Sequence, residues 1–215
     1  MDVERGVIIR EMEEVSKQHE EVIMDYLHEA AYTSNGLGMT ILGPEENING
    51  LKRQQFRDYI DTHYTAPRMA ICGAGAIGHD ELVDLSKKYW GQLPVEPKTS
   101  YPTNFDAAVF GGGEKRFFDN TINEAHVSVA FEGTSWTSHE AFPVMLIQSI
   151  LGYWDRLSGA GAKVPSPLAQ TLAERDLVHS FSTLNISYKD TGLFGELDLI
   201  TDQIDFCFFE LTASF

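Results

Sequence analysis

The stretch Leu93–Phe105 constrains the fold most, because the hydrophobic pattern changes across it. It holds Pro94, Pro97 and Pro102 and few residues suited to a core, so it reads as a linker between two units. Before it, apolar residues recur at helical spacing. After it, strand patterns dominate. The upstream part predicts one helix over 3–31, with Val3, Val7, Ile8, Val15, Val22, Ile23, Tyr26, Leu27 and Ala30 near a 3.6-residue period. A loop punctuated by Gly36, Gly38, Gly43 and Pro44 follows. One or two helices are expected over 46–64, with Leu51, Phe56, Tyr59 and Ile60 inward. A short buried strand is expected over 68–73 and an amphipathic helix over 80–91.

Downstream, 114–132 predicts two strands, the second of them buried over 126–131. Residues 138–151 predict a helix capped by Ser138. Residues 152–167 read as loop. Ser166 caps another helix with Pro167 in its first turn. Residues 178–201 predict a strand pair about the turn Lys189-Asp190-Thr191-Gly192. Residues 205–215 form an apolar, aromatic end that calls for a cover.

Thirty-two acidic against 16 basic residues give a net charge of −16. Nucleic acid is therefore excluded as a partner, and a basic substrate or partner fits better. No run of 18 apolar residues occurs, so no helical membrane span is expected. The start is acidic and lacks targeting character, so any organellar address is expected outside this chain. Cys72 reads as a reduced core residue, and with Cys207 far away no paired-cysteine metal site is expected.

Glu4 and Glu11 stand seven apart, two turns less 20°, and so share a helix face. Glu14, Gln18, Glu21 and Asp25 continue that stripe. Like charges at this spacing repel, and a cation or basic ligand would offset the cost. From the residues alone, a solvated acidic face remains the simpler reading.

The segment Glu4-Arg5-Gly6-Val7-Ile8-Ile9-Arg10-Glu11-Met12-Glu13-Glu14-Val15 resembles the part of the M16 (pitrilysin-type) metallopeptidases that carries the third zinc ligand. The resemblance continues in Tyr26-Leu27-His28-Glu29-Ala30-Ala31-Tyr32 and Leu37-Gly38-Met39-Thr40-Ile41-Leu42-Gly43-Pro44. Further matches are Lys88-Tyr89-Trp90-Gly91, Trp154-Asp155-Arg156, Ser166-Pro167-Leu168-Ala169 and Tyr188-Lys189-Asp190-Thr191-Gly192-Leu193. It implies an α+β fold of M16 type, with a mixed or antiparallel sheet and helices packed on one face. It also implies a domain succession: 1–93 as the second half of a first family domain, 94–105 as linker, and 106–215 as the start of a second.

The resemblance implies roles as well. Glu11 matches the zinc ligand, and Glu4 a supporting carboxylate of the catalytic centre. Glu21 and Asp25 match the pair that binds a substrate arginine in the family's β-type processing subunits. Two carboxylates four apart on a helix suit a guanidinium. The short Gly159-Ala160-Gly161-Ala162 loop favours the β type over the α type. The implied activity is zinc-dependent removal of basic presequences, with Zn²⁺ as cofactor, an α-type subunit as partner, and a mitochondrial matrix or matrix-face location. A non-catalytic core subunit of the cytochrome bc1 complex is the alternative.

The H-x-x-E-H motif that supplies the other zinc ligands does not occur here. None of the seven histidines stands four residues from another. The chain alone is therefore expected to be inactive and incomplete.

Gly73-Ala74-Gly75-Ala76-Ile77-Gly78 matches a dinucleotide-binding pattern, but the proline-rich stretch beyond argues against the required second strand. A tight connection of small residues is the preferred reading. His28 reads as a helix-packing residue, and Trp136 and Trp154 as core or interface anchors.

Overall fold

The computed structural model describes residues 2–33, 36–98, 106–119, 121–160 and 163–201. Residues 205–215, with Cys207, and most of the expected linker lie outside these.

Two compact units form. The first comprises residues 1–7 and 44–106, the second residues 8–43 and 107 onward. Residues 8–43 thus pack with the strand-rich part of the chain, so the units interleave along the sequence.

The expected first helix is two: α1 (Asp2–Val15) and α2 (His19–Ala31). The separation has a local cause. The last turn of α1 carries Glu13 and Glu14 at its negative pole. Ser16 Oγ donates to the Glu13 carbonyl at 2.9 Å, competing with the backbone ladder. The next bonds tighten, Lys17 N–H to Glu14 O at 3.2 Å and Gln18 N–H to Val15 O at 2.9 Å. α2 then restarts with Glu20 and Glu21 at its positive pole, where acids stabilise. The single acidic stripe from Glu4 to Asp25 is therefore interrupted.

The first unit contains α3 (Glu45–Gly50), α4 (Arg53–His63) and α5 (His79–Trp90). Arg5 ties the chain start to α3, with Nε donating to Ile48 O at 3.0 Å and Nη2 to Leu51 O at 2.9 Å. Four expected core residues are exposed: Leu51, Phe56, Tyr59 and Ile60. The strand expected over 68–73 does not form. Met69 has extended dihedrals, but among the described residues no strand pairs with this stretch, and a strand needs a ladder. Cys72, expected in the core, is consequently exposed. Among the described residues, the Gly73–Gly78 stretch leads into α5 without a paired strand before it, unlike the setting that dinucleotide binding requires.

The second unit is built on an antiparallel sheet in the order β1-β4-β3-β2. The strands are β1 (Glu124–Glu132), β2 (Tyr153–Asp155), β3 (Ser180–Ser187) and β4 (Gly192–Thr201). Register pairs Glu124 with Thr201, Ser187 with Gly192 and Tyr153 with Ser182. The hairpin about 188–191 is as expected. Among the described residues of 114–132, one strand arises. β2 went unpredicted because three residues carry too little periodicity. Trp154 on β2 is buried; Trp136 is 62% exposed. α6 (Ala141–Leu151) begins later than expected. Ser138 makes a preceding turn instead, its Oγ accepting from Glu140 N–H at 3.1 Å. α7 (Pro167–Arg175) is capped as expected, Ser166 Oγ accepting from Ala169 N–H at 3.2 Å.

Alternation along the strands gives the sheet two covered faces. On one, Trp154, Phe181 and Ile200 pack with Ala169, Leu168 and Leu172 of α7. α6 joins this side through Gln148 Nε2, which donates to Thr183 O at 3.1 Å. On the other face Leu193, Ile186 and Ala130 meet Leu27, Ala31 and Tyr32 from α2. The close approach of β1 and β4 requires Gly195: a Cβ there would stand 2.0 Å from the Val129 carbonyl oxygen.

Candidate functional site

The acidic candidates sit on the first two helices. Glu4 and Glu11 lie on α1, Glu21 and Asp25 on α2, and all four are exposed. Glu21 and Asp25 are four apart, about 6 Å along the axis and about 40° in azimuth. Both carboxylates can therefore face one ligand. Asp25 is oriented: Thr40 Oγ1 donates to its Oδ2 at 2.8 Å. That places the 36–43 loop against α2, a contact the sequence pattern did not indicate. Nearby on the helices, Glu14 is taken up by Lys17 at 2.7 Å.

α2 is fixed by its far end. Tyr32 is fully buried, and its hydroxyl donates to Gly192 O at 2.8 Å. Burial pushes the Tyr32 hydroxyl pKa up, so it stays a donor. Gly111 N–H donates to Ala31 O at 2.8 Å. Tyr26 stacks on Phe117 with centroids 4.0 Å apart, and Lys115 pairs with Glu29. His28, expected as a packing residue, bridges to the β3–β4 turn, its Nε2 lying 2.7 Å from the Tyr188 hydroxyl.

A catalytic zinc needs three protein ligands. Among the described residues no group of three or more His, Cys, Asp or Glu could hold a metal. The described residues do not fit the ion by themselves. His19 and His126 pack ring to ring at 5.1 Å without forming such a group. Burial, then the neighbouring His19, pulls the His126 pKa down. His126 lines a cavity of about 240 Å³ with Glu20, Tyr153, Ser180 and Ser182.

Comparison with known proteins agrees with this architecture. Residues 50–196 match the family profile described as "Peptidase M16 inactive domain". A probable mitochondrial-processing peptidase subunit beta of Arabidopsis thaliana is 44% identical over 193 residues, 89% of this chain and 36% of the relative. The human mitochondrial-processing peptidase subunit beta is 43% identical over 192 residues, 89% of this chain and 39% of the relative. The chain thus spans about two fifths of these relatives' length. A chain of Complex III2 from Candida albicans has the same fold, with a TM-score of 0.82 at 22% identity, covering 92% of this chain and 46% of that one. The profile match over more than half its length, on an α+β fold with an antiparallel sheet, places this chain in the M16 peptidase family.

Proposed function

We propose that this chain is the part of a β-type processing-peptidase subunit that brings one zinc ligand and the substrate-arginine reader to a larger enzyme. The identity of 43–44% to β subunits across most of the chain carries this reading. In it, residues 1–93 and 106–215 belong to successive family domains. Glu11 is the metal ligand, Glu4 supports it, and Glu21 with Asp25 binds a guanidinium. The matched profile is described as an inactive domain and begins at residue 50, after all four acidic candidates.

The rest of the zinc centre comes from outside this chain, and no catalytic step is assigned to these residues alone. Glu11 would help hold the zinc of the whole enzyme, and that ion would supply Lewis-acid polarisation of a water and a carbonyl. The role of Glu21 and Asp25 is binding: a net charge of −16 draws basic presequences, and the exposed pair reads an arginine among them. The partner is an α-type subunit and the location mitochondrial, on the matrix side.

The test uses the full-length subunit with its partner. Glu21→Gln or Asp25→Asn is expected to raise KM about tenfold for arginine-bearing presequences, the loss of one charge-assisted contact. Equal effects on arginine-bearing and arginine-free peptides would remove the assignment. Membership of a respiratory complex is the second reading, raised by the Complex III2 match, which bears on it through fold alone. Co-purification with bc1 subunits, without peptidase activity in the full-length protein, would favour it.

A further inference from the structure

The stripe of α2 that carries Glu21 and Asp25 does not end at the carboxylates. His28 and Tyr32 follow at i+7 and i+11 from Glu21, within about 60° of the same azimuth. The stripe is therefore exposed at its acidic end and buried at its other end under the β3–β4 hairpin. His28 lies about 4.5 Å further along the axis than Asp25. How the carboxylates are aimed depends on how this stripe is clamped.

Two side-chain contacts do the clamping. His28 Nδ1 is 2.7 Å from the Met24 carbonyl, which can only accept. In the neutral ring Nδ1 therefore carries the proton, and Nε2 accepts from the Tyr188 hydroxyl at 2.7 Å. Burial pushes the Tyr188 pKa up, which keeps that hydroxyl a donor. Tyr188 is itself held, since its N–H donates to Thr191 O at 2.8 Å and closes the turn. Asp190 in that turn accepts from Ala108 N–H at 2.8 Å. The second contact is Thr40 Oγ1 to Asp25 Oδ2 at 2.8 Å. It occupies one carboxylate oxygen and leaves the other for a ligand.

The geometry points to Tyr188, acting through His28, and Thr40 as positioning residues for the arginine reader. Tyr188 sets the azimuth and tilt of α2 one turn beyond Asp25, and Thr40 sets the rotamer of Asp25. Tyr188 acts through His28, and Thr40 through Asp25. This rests on the reading of Glu21 and Asp25 given above and adds two residues from distant parts of the chain to it.

The experiment compares Tyr188→Phe and Thr40→Val in the full-length subunit with its α-type partner, beside Glu21→Gln and Asp25→Asn. Each enzyme is assayed on a presequence peptide with its arginine and on the same peptide with alanine there. Each positioning variant is expected to raise KM for the arginine peptide about five- to tenfold more than for the alanine peptide, one hydrogen bond's worth. kcat should fall less than KM rises, and Thr40→Ser should restore the parent KM. An equal rise for both peptides, or no rise in an enzyme that retains its melting temperature, overturns the proposal while selective effects at Glu21 and Asp25 leave the arginine reader standing. If Glu21→Gln and Asp25→Asn show no arginine selectivity either, the reader itself fails, and the proposal with it. For a variant that melts early, the KM comparison is made well below its transition, where a purely structural defect alters the amount of active enzyme and not the KM ratio of the two peptides.

Discussion

Asp198 stands on β4 between Val127 on one neighbouring strand and Phe181 on the other. Burial, with Glu196 two residues away on the same face, pushes its pKa up from 3.8 to about 7. A carboxyl raised in this way binds its proton more tightly folded than unfolded. Its protonated form therefore favours the fold at low pH, and that contribution is lost as pH rises from about 4 through about 7. Asp198→Asn should raise stability at pH 8 by on the order of 1 kcal/mol, once solvent screening of a part-exposed group is allowed for. It should change little at pH 4. Urea midpoints at both pH values check this, and an equal change at both would contradict it. In the sequence, Glu196-Leu197-Asp198-Leu199 alternates like a strand with one wet face. Only the helices laid over that face make the acids costly. The family resemblance singles out Glu21 and Asp25, whereas nothing singles out Thr40 and Tyr188, because no local pattern marks a hydroxyl that bonds across 15 or 160 residues.

At the scale of elements, caps and close approaches carry the predictions. Ser166 caps α7 and also donates to Leu151 O, joining two helices. Ser166→Ala should cost about 1–2 kcal/mol, read as a fall in melting temperature. Gly195→Ala should be far worse, since its Cβ would meet the Val129 carbonyl and the Ala130 backbone at 2.0 and 2.6 Å. Loss of cooperative unfolding by circular dichroism would register this, whereas a parent-like melt would show that β1 can move away. The paired elements α7, β3 and β4 were readable because cap, turn and alternation agree locally. In the sequence the first helix reads as continuous because its apolar period runs on past Ser16. The break depends on charge placement at the helix poles and a serine side chain bonding back. The strand expected at 68–73 has the right composition and lacks a pairing partner among the described residues, which no local pattern can reveal.

For the whole molecule, the surface of α6 matters most. This helix is apolar nearly all round. Its inner side meets the sheet, while Phe142, Leu146 and Ile150 are 76%, 65% and 65% exposed. A helix of this kind is normally covered. The 215-residue chain by itself should therefore self-associate, with light scattering rising steeply with concentration. Leu146→Lys with Ile150→Lys should suppress that scattering while leaving helical content intact, because neither side chain faces the sheet. Scattering that persists in this variant would place the adhesive surface elsewhere.

The sequence by itself determined the family, the succession of most helices and strands, the hairpin and the acidic balance. These are written in local spacing and in ordered matched segments. Tertiary structure alone decided that α2 closes one face of the β1–β4 sheet, that Tyr32 and Tyr188 hold it there, and that Thr40 orients Asp25. The physical reason is range: propensity, capping and periodicity act within a few residues, whereas burial and hydrogen-bond partners are settled by which distant segments come to share one core.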